Sequence, residues 1–316
     1  IIAIHSTRRG RALGGCRYWR YDDEAAAVAD VLRLSRGMTY KAAMAGLPYG
    51  GGKAVILADP ARPKTSELMR AFGRAVDRFQ GRYVTAEDVG VTPADMAVIR
   101  QVTPHVAGLA ANGGDPSLAT AYGVWRGVRA AARRALRRNA LDGVRVLVQG
   151  VGAVGRQLCR HLKADGARLT ISDLRMDAAQ AAAAEFDAEV VSPEAAADAE
   201  IDVFAPCALG AVLNRETIPR LKAAAVAGSA NNQLADESCG AALAARGVLY
   251  APDYVINAGG LINVHHEISG NYNRDRAFAD VARIEATLDE VFARADRDGV
   301  PPHIAADAMA RERLAA

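Results

Sequence analysis

Apolar residues recur at two spacings along the first hundred positions of the chain. Residues 1–5, 54–57 and 82–86 form short, mostly apolar runs, which predict strands. Residues 24–38 and 66–79 carry apolar side chains three or four positions apart, and this spacing predicts amphipathic helices. Strands that alternate with helices indicate an α/β unit.

The same spacing predicts which face of each helix is buried. The first helix is expected to bury Val28, Val31, Leu32 and Met38. The second is expected to have Ser66 as its N-cap. Its buried stripe is expected to consist of Leu68, Phe72, Val76 and Phe79.

A loop-forming segment at residues 112–116 interrupts this pattern and precedes a long predicted helix at 119–136. Residues 144–148 and 168–172 are predicted to be strands that flank a helix, which makes a βαβ unit. Short apolar strands follow within residues 201–256, and the rest is mostly helical. The helix at 119–136 ends in basic residues that are expected to form a solvated face: Arg133, Arg134, Arg137 and Arg138.

Composition removes several classes of function. The 316 residues carry a net charge of +3, and a balance this close to neutral does not indicate a nucleic acid or an acidic membrane as a partner. No apolar run is long enough to span a membrane. The four cysteines lie far apart in the sequence, so we expect reduced thiols and a cytoplasmic protein. His265 and His266 are adjacent, which does not suit a metal site, and we expect no metal. The opening apolar run is typical of the middle of a strand, so we expect residues to precede Ile1.

A glycine-rich turn follows the strand at 144–148 and has the GxGxxG spacing of dinucleotide-binding proteins. The candidate cofactor-binding residues of this turn are Gly150, Gly152, Ala153, Val154 and Gly155. Glycines let the backbone approach a pyrophosphate, which the helix N-terminus then stabilises. Asp173 at the end of the next strand would bind the adenosine ribose and repel a 2′-phosphate, which favours NAD over NADP, although nearby Arg175 weakens that preference. The alternative is a tight strand–helix corner that binds no ligand.

Lysine is rare in this chain, since five of the 39 basic residues are lysine and the others are arginine. Lys41 and Lys53 lie twelve residues apart in one apolar, glycine-rich segment. Arginine stays protonated in proteins, whereas a buried lysine near another cation can lose its proton. One lysine could therefore bind a carboxylate while the other acts as a base, and the glycines at 50–52 could let a ligand approach the backbone. The alternative is a pair of surface lysines beside a flexible loop.

Several segments in this order resemble the glutamate/leucine/phenylalanine/valine group of amino acid dehydrogenases, most of all its leucine-specific members. Besides the NAD turn, these segments are GMTYKAAMAGLPYGGGKAV, RYVTAEDVG, FAPCALG, AGSANNQL and YAPDYVINAGGLINV. The resemblance implies an α/β protein that forms a homo-oligomer and has a cleft between two domains. Residues 1–113, with a returning segment at about 290–316, would form the substrate, catalytic and oligomerisation domain. Residues 114–289 would form a Rossmann-type NAD-binding domain.

The resemblance also implies roles for individual residues. Lys41, helped by the backbone near Gly15, would hold the α-carboxylate of an amino acid. Lys53 would be the catalytic amine, and Asp88 would exchange protons with the reacting nitrogen. The implied reaction is NAD-linked oxidative deamination, in which Lys53 activates a water that attacks the imine. A 2-oxo acid and ammonia are the products.

On the cofactor side, the resemblance implies that Asn231 contacts the substrate amino group and the nicotinamide ribose, and that Thr120 holds the nicotinamide. The implied pocket for the substrate side chain is apolar and consists of Leu13, Ala86, Leu261 and Val264. Leu13 stands where glutamate-specific relatives carry a lysine, so glutamate would leave a buried carboxylate unpaired.

Phenylalanine-specific relatives tend to have glycine at the position of Ala86 and alanine at that of Leu261. The larger residues here lead us to expect a branched-chain aliphatic substrate, without a choice between leucine, isoleucine and valine. An aromatic-specific or NADP-linked enzyme on the same scaffold is one alternative. A non-catalytic sensor of NAD or amino acids is another.

Overall fold

A computed structural model describes residues 1–109, 115–208 and 210–315. The chain forms two compact units, each assembled from separate stretches of sequence. The first unit comprises Ile1–Asp115, Asn263–Arg274 and Ala310–Ala316. The second comprises Pro116–Ile262 and Asp275–Met309. Residues 112–114 of the expected loop lie outside the described residues.

The first unit contains a mixed sheet in the order β1-β3-β2-β4. β1 is antiparallel to β3, and β2 is parallel to both of its neighbours. The strands are β1 (Ile2–Ser6), β2 (Ala12–Trp19), β3 (Gly50–Leu57) and β4 (Tyr83–Glu87). The helices that follow them along the chain are α1 (Glu24–Met44), α2 (Ser66–Asp77) and α3 (Pro93–Arg100). The sequence did not predict β2, because Gly14 and Gly15 interrupt its run of larger side chains.

The first two helices begin and end at different residues from those expected. α1 continues past residue 38 to Met44, so that Lys41 lies in its last turn. α2 is capped by Thr65, whose hydroxyl accepts a hydrogen bond from the amide of Leu68 at 3.2 Å, and Ser66 is the first helical residue. A side-chain oxygen at this position satisfies an otherwise unpaired amide of the first turn.

The buried face of α1 is rotated relative to the expected one. Ala27 and Val31 are buried against Val55 of β3. Val28 and Leu32, which were expected to be buried, are 37% and 56% exposed. The prediction was confirmed for Val31 and wrong for Val28 and Leu32, because small Ala27 makes the contact that was assigned to the larger Val28.

The three glycines before Lys53 pack against protein. A Cβ on Gly50 would lie 1.9 Å from the carbonyl oxygen of Ser6, and one on Gly51 would lie 2.1 Å from the amide nitrogen of Thr39. The side-chain positions are filled by β1 at Gly50, by α1 at Gly51 and by the ring of Tyr83 at Gly52, so close packing accounts for these glycines, and ligand approach to their backbone stays a prediction. These glycines allow the strand and the helix to pack closely around Lys53.

The second unit contains a parallel, Rossmann-like sheet in the order β10-β9-β8-β5-β6-β7. Its strands are β5 (Arg145–Gln149), β6 (Arg168–Ser172), β7 (Glu189–Val190), β8 (Val203–Pro206), β9 (Ala225–Val226) and β10 (Leu249–Tyr250). The first helices of this unit are α4 (Pro116–Leu136), α5 (Ala153–Ala164), α6 (Met176–Phe186), α7 (Glu237–Ala245) and α8 (Asp253–Ile256). The remaining helices of the chain are α9 (Gly259–Ile268), α10 (Arg274–Ala282), α11 (Ile284–Asp298) and α12 (Pro302–Ala315).

The chain order of the strands reverses direction on either side of β5, which pairs with β6 on one side and with β8 on the other. Open α/β sheets bind ligands at the carboxyl end of the strand where this reversal occurs. The glycine-rich turn follows β5 directly and therefore lies at that position. No helix within the described ranges has both the length and the apolar character needed to cross a membrane.

The basic end of α4 pairs with α11 and is not simply a solvated face. Arg133 binds Glu285 at 2.8 Å and Asp289 at 2.7 Å, and Arg134 binds Asp296 at 2.6 Å. These ion pairs were not predicted because their partners lie more than 150 positions away in the sequence. Of the segment at about 290–316 that was expected to return to the first domain, Ala310–Ala316 lie in the first unit, whereas residues 290–309 lie in the second.

Candidate active site

Lys53 is a buried lysine that forms an ion pair with Asp88. It lies on β3 opposite Ala3 of β1, and 5% of the residue is exposed. Its Nζ is 3.0 Å from Oδ2 of Asp88, the residue that follows β4. The side-chain exposure of Asp88 is 13%. An amine and a carboxylate held together away from bulk water can pass protons to a group bound beside them.

Arg17 is a second cation on the same carboxylate oxygen. Its Nε donates to Oδ2 of Asp88 at 3.0 Å, and its Nη1 donates to Oδ2 of Asp30 at 2.9 Å. Burial by itself would raise the pKa of Asp88, but the charges of Lys53 and then Arg17 outweigh burial and hold that pKa below its ordinary value. Asp88 is therefore a carboxylate at neutral pH.

Gly15 lies against Asp88 and has no space for a side chain. In β2 it pairs with Ala86 of β4. A Cβ on Gly15 would lie 2.4 Å from the carbonyl oxygen of Glu87 and 2.9 Å from the Cβ of Asp88. Any larger residue would therefore displace Asp88.

The first unit holds most of the other residues expected to bind substrate. Lys41 is half-buried in the last turn of α1, the helix that packs on β3. Leu13 is 2% exposed in the interior of β2, and half-buried Ala86 is the register partner of Gly15. Val264 is buried on α9. Ala86 lies directly opposite Gly15 where β4 pairs with β2.

The turn after β5 has the shape of a dinucleotide-binding turn. Gly150 has φ of +96°, which favours glycine, and a Cβ on Gly155 would lie 1.9 Å from the carbonyl oxygen of Gly150. Gly152 precedes α5, whose first residues are Ala153 and Val154. Among the described residues, no side chain caps this helix and no atom lies within 4 Å of a Cβ built on Gly152. The start of α5 therefore offers backbone amides beside open space, which suits a pyrophosphate.

Asp173 is tied to the same turn by main-chain hydrogen bonds. Its Oδ2 accepts from the amide of Val151 at 2.9 Å, and its Oδ1 accepts from the amide of Arg175 at 2.9 Å. Burial would raise the pKa of Asp173, but these hydrogen bonds and the Arg175 charge lower it below its ordinary value. The Nε of Arg175 lies 3.6 Å from Oδ1, and its side chain is largely exposed.

Asn231 is held by a buried neighbour that the sequence analysis did not identify. The Nδ2 of Asn257 donates to Oδ1 of Asn231 at 2.7 Å and to the carbonyl oxygen of Ser229 at 3.0 Å. Thr120 lies one turn into α4, and its hydroxyl donates to the carbonyl oxygen of Pro116 at 3.0 Å. These residues belong to the second unit, as does half-buried Leu261 on α9, which was expected to line the substrate pocket.

Arg17 and Asn257 are site residues that sequence reasoning missed. Alternate residues of a strand share a face, so a prediction of β2 would have placed Arg17 on the same face as Gly15. Asn257 lies within the segment YAPDYVINAGGLINV, so the resemblance marked its neighbourhood, but its contact with Asn231 joins residues 26 positions apart and could not be predicted from the sequence.

The adjacent histidines take part in ordinary packing. The Nδ1 of His265 lies 2.9 Å from the hydroxyl of Tyr49, and the rings of His265 and His266 meet edge to face. Over the described part of the chain, no three His, Cys, Asp or Glu side chains are grouped so that they could hold a metal ion.

Two family models match the chain. Residues 1–105 match the dimerisation domain of the Glu/Leu/Phe/Val dehydrogenases. Residues 170–316 match the glutamate/leucine/phenylalanine/valine dehydrogenase model. Together they cover most of both compact units and include Lys53, Asp88 and Asn231.

Individual relatives match over nearly the whole chain. It is 51% identical to a leucine dehydrogenase from Geobacillus stearothermophilus, covering 99% of this chain and 86% of the relative. It is 47% identical to a valine dehydrogenase from Streptomyces albus, covering 100% of this chain and 88% of the relative. The crystal structure of L-tryptophan dehydrogenase from Nostoc punctiforme superposes with a TM-score of 0.86 at 47% identity, covering 99% of this chain and 91% of that structure's chain. The names of these relatives agree on the class of reaction and differ in the amino acid.

Proposed function

The chain belongs to the glutamate/leucine/phenylalanine/valine dehydrogenase family and is an NAD(P)-dependent amino acid dehydrogenase, and from this premise we propose the reaction that it catalyses. We propose the reversible, NAD-dependent oxidative deamination of leucine, valine or isoleucine to the 2-oxo acid and ammonia. The observation that carries the proposal is the buried pair of Lys53 and Asp88, 3.0 Å apart. Deamination needs proton-transferring groups beside the reacting nitrogen, and this pair supplies them.

Lys41 is proposed to bind the α-carboxylate of the substrate, with the backbone near Gly15. Its place at the end of α1 supports this role, because α1 packs on the strand that carries Lys53. The carboxylate clamp and the proposed base thus come from two elements that are packed against each other. A charged clamp of this kind fixes the orientation of Cα and its amino group.

Lys53 and Asp88 are proposed to move the protons. Once hydride has left Cα, the substrate is an imino acid, and Lys53 takes a proton from a water whose oxygen attacks the imine carbon. Asp88, which accepts a proton from the ammonium group of the amino acid before hydride leaves, returns that proton to the nitrogen of the adduct, so that the carbon–nitrogen bond breaks and ammonia departs. The 2-oxo acid forms as the remaining hydroxyl passes its proton to the Asp88 carboxylate.

NAD is proposed as the cofactor, and when bound its nicotinamide supplies the hydride acceptor. The turn at Gly150, Gly152 and Gly155, with the uncapped start of α5, fits its pyrophosphate. Asp173, whose lowered pKa keeps it ionised, would accept hydrogen bonds from the ribose and repel the 2′-phosphate of NADP. Ala153 and Val154 would lie beside the pyrophosphate, and Thr120 and Asn231 beside the nicotinamide.

A branched-chain aliphatic substrate is supported by the proposed pocket residues, all of which are apolar: Leu13, Ala86, Leu261 and Val264. Leu13 is buried within β2, so a glutamate side chain there would lack a cation. The sequence similarity to leucine and valine dehydrogenases also supports an aliphatic substrate. One methylene in such a pocket changes selectivity by about 1–3 kcal/mol, so the three aliphatic substrates should differ modestly.

An aromatic amino acid is the second candidate substrate. The observation that favours it is the structural similarity to L-tryptophan dehydrogenase at a TM-score of 0.86. The same catalytic residues would serve, since the difference lies in the side-chain pocket.

We also propose that the chain acts as a homo-oligomer. The match of residues 1–105 to a model described as a dimerisation domain supports this. Analytical ultracentrifugation of the purified chain tests it, and a monomer at micromolar concentration would contradict it.

The experiment for the proposed function is a substrate panel with NAD or NADP, read by absorbance of the reduced cofactor. We expect the highest kcat/KM with leucine, valine or isoleucine and NAD, and little turnover of glutamate. Faster turnover of phenylalanine or tryptophan would favour the second candidate. Binding of NAD without turnover of any amino acid would leave a sensor as the function.

A further inference from the structure

Asp88 is held by two cations that meet at one oxygen atom. Lys53 Nζ and Arg17 Nε each lie 3.0 Å from Oδ2. Among the described residues, no side chain or amide donates a hydrogen bond to Oδ1. The carboxylate is thus anchored through one oxygen while its other oxygen remains available to a ligand.

We propose that Arg17 is the positioning residue of Asp88, fixing Oδ2 so that Oδ1 faces the reacting nitrogen throughout the catalytic cycle. This inference rests on the proposed function. Lys53 is proposed to gain and lose a proton during turnover, so its positive charge does not stabilise the Asp88 carboxylate in every step. Arginine keeps its charge in proteins, and Arg17 therefore holds the carboxylate when Lys53 does not.

Arg17 is itself fixed from the other side by α1. Its Nη1 donates to Oδ2 of Asp30 at 2.9 Å, and the hydroxyl of Tyr21 donates to that same oxygen at 2.6 Å. The side chains of Arg17 and Asp30 are 17% and 22% exposed. Asp30 lies on α1, the helix whose last turn contains Lys41, so one set of contacts connects β2, the residue after β4 and α1.

The charges around Asp88 determine how its titration responds to loss of Arg17. Lys53 on β3 and Arg17 on β2 contact Asp88 directly, and the titratable groups Cys16 on β2 and Tyr83 on β4 lie near enough to interact with its charge. Burial raises the pKa of Cys16 to about 12 and raises that of Tyr83 as well, so neither changes charge in the working range. Without Arg17, only Lys53 would oppose the effect of burial, and the pKa of Asp88 would rise.

The experiment measures kcat/KM against pH for Arg17→Gln, Arg17→Lys and Asp30→Asn, with the best amino acid substrate and NAD. Arg17→Gln removes a positive charge beside the Lys53–Asp88 pair, so it should move the acid limb up by about one pH unit and lower kcat at least about tenfold. Arg17→Lys should restore part of both. Asp30→Asn should move the acid limb down, because it removes a negative charge, and Asp88 is then the one carboxylate paired with Arg17. Arg20→Gln removes an exposed charge next to β2 and is the matched control, with no expected shift.

A purely structural role for Arg17 would lower activity without moving the limb, so an unshifted profile for Arg17→Gln overturns the inference. If circular dichroism shows that Arg17→Gln does not fold, the pH profile of Asp30→Asn is the test instead. An acid limb that stays in place or moves up in Asp30→Asn then overturns the inference. If the wild-type chain deaminates no amino acid, the proposed function is wrong, whatever the role of Arg17. Titration of the Asp88 carboxyl by ¹³C NMR, assigned with Asp88→Asn, then tests Arg17 separately, and an equal pKa in wild type and Arg17→Gln contradicts the anchoring.

Discussion

The side-chain amide of Asn257 donates to Oδ1 of Asn231 at 2.7 Å, and it also donates to the carbonyl oxygen of Ser229. Asn257 is 5% exposed, whereas Asn231 lies at the surface. A buried residue therefore orients the exposed amide that we propose to contact the substrate and the nicotinamide ribose.

Replacing Asn257 should disturb catalysis without touching the substrate. Asn257→Ala should lower kcat/KM about tenfold, because one hydrogen bond of about 1 kcal/mol is lost and Asn231 gains rotational freedom. Asn139→Ala, at an exposed asparagine, is the control. Steady-state kinetics of both variants test this, and equal kcat/KM values would show that Asn257 does not position Asn231.

Gly15→Ala should reduce both stability and activity, since the new methyl group would collide with Asp88 and Glu87. Overpacking of this kind costs about 1–3 kcal/mol. The control is Gly37→Ala in α1, where no described atom lies within 4 Å of the new Cβ. That change should leave stability unchanged or raise it by up to about 1 kcal/mol, because alanine favours a helix over glycine. Urea unfolding of both variants provides the comparison, and equal effects would contradict the close contact at Gly15.

Asp173→Asn should shift cofactor preference toward NADP. The substitution keeps a side-chain oxygen but removes the charge that repels a 2′-phosphate. The ratio of kcat/KM with NAD to that with NADP should fall about tenfold, which corresponds to about 1.4 kcal/mol. Asp177→Asn at an exposed position of α6 is the control. An unchanged ratio in Asp173→Asn would mean that another residue determines the preference.

The lowered pKa of Asp88 predicts a pH dependence of stability. A carboxyl whose pKa is lower when folded stabilises the protein at neutral pH, and this contribution is lost as the pH falls through the folded-state pKa. Asp88→Asn should be less stable than wild type at neutral pH, because Lys53 and Arg17 lose their shared partner. The difference in the free energy of unfolding should shrink on acidification. A difference that stays constant with pH would contradict the ionised state of Asp88.

Much of the second unit follows from the sequence, because its signals are local. The strand at 168–172 is the observed β6, and the glycine turn falls between β5 and α5 as its spacing predicts. A buried parallel strand followed by a turn that requires glycine leaves a strong mark on a short stretch of sequence.

The first unit was harder to predict, because its decisive contacts join distant residues. Arg17 is one of many arginines, and only the fold brings it between Asp30 and Asp88. The buried face of α1 was misjudged because periodicity gives the spacing of a stripe but cannot distinguish small Ala27 from Val28 as its centre. Lys53 could be identified as a candidate because lysine is rare in this chain. The distance between its Nζ and Oδ2 of Asp88 could not be predicted from the sequence.

The most direct test of the account is the activity of Lys53→Arg with a branched-chain amino acid and NAD. Arginine preserves the positive charge beside Asp88 but does not give up its proton, so it cannot serve as the base. We predict that this variant binds NAD, as measured by fluorescence titration, and forms no reduced cofactor above background. Substantial formation of NADH by Lys53→Arg would contradict the assignment of Lys53 as the catalytic amine.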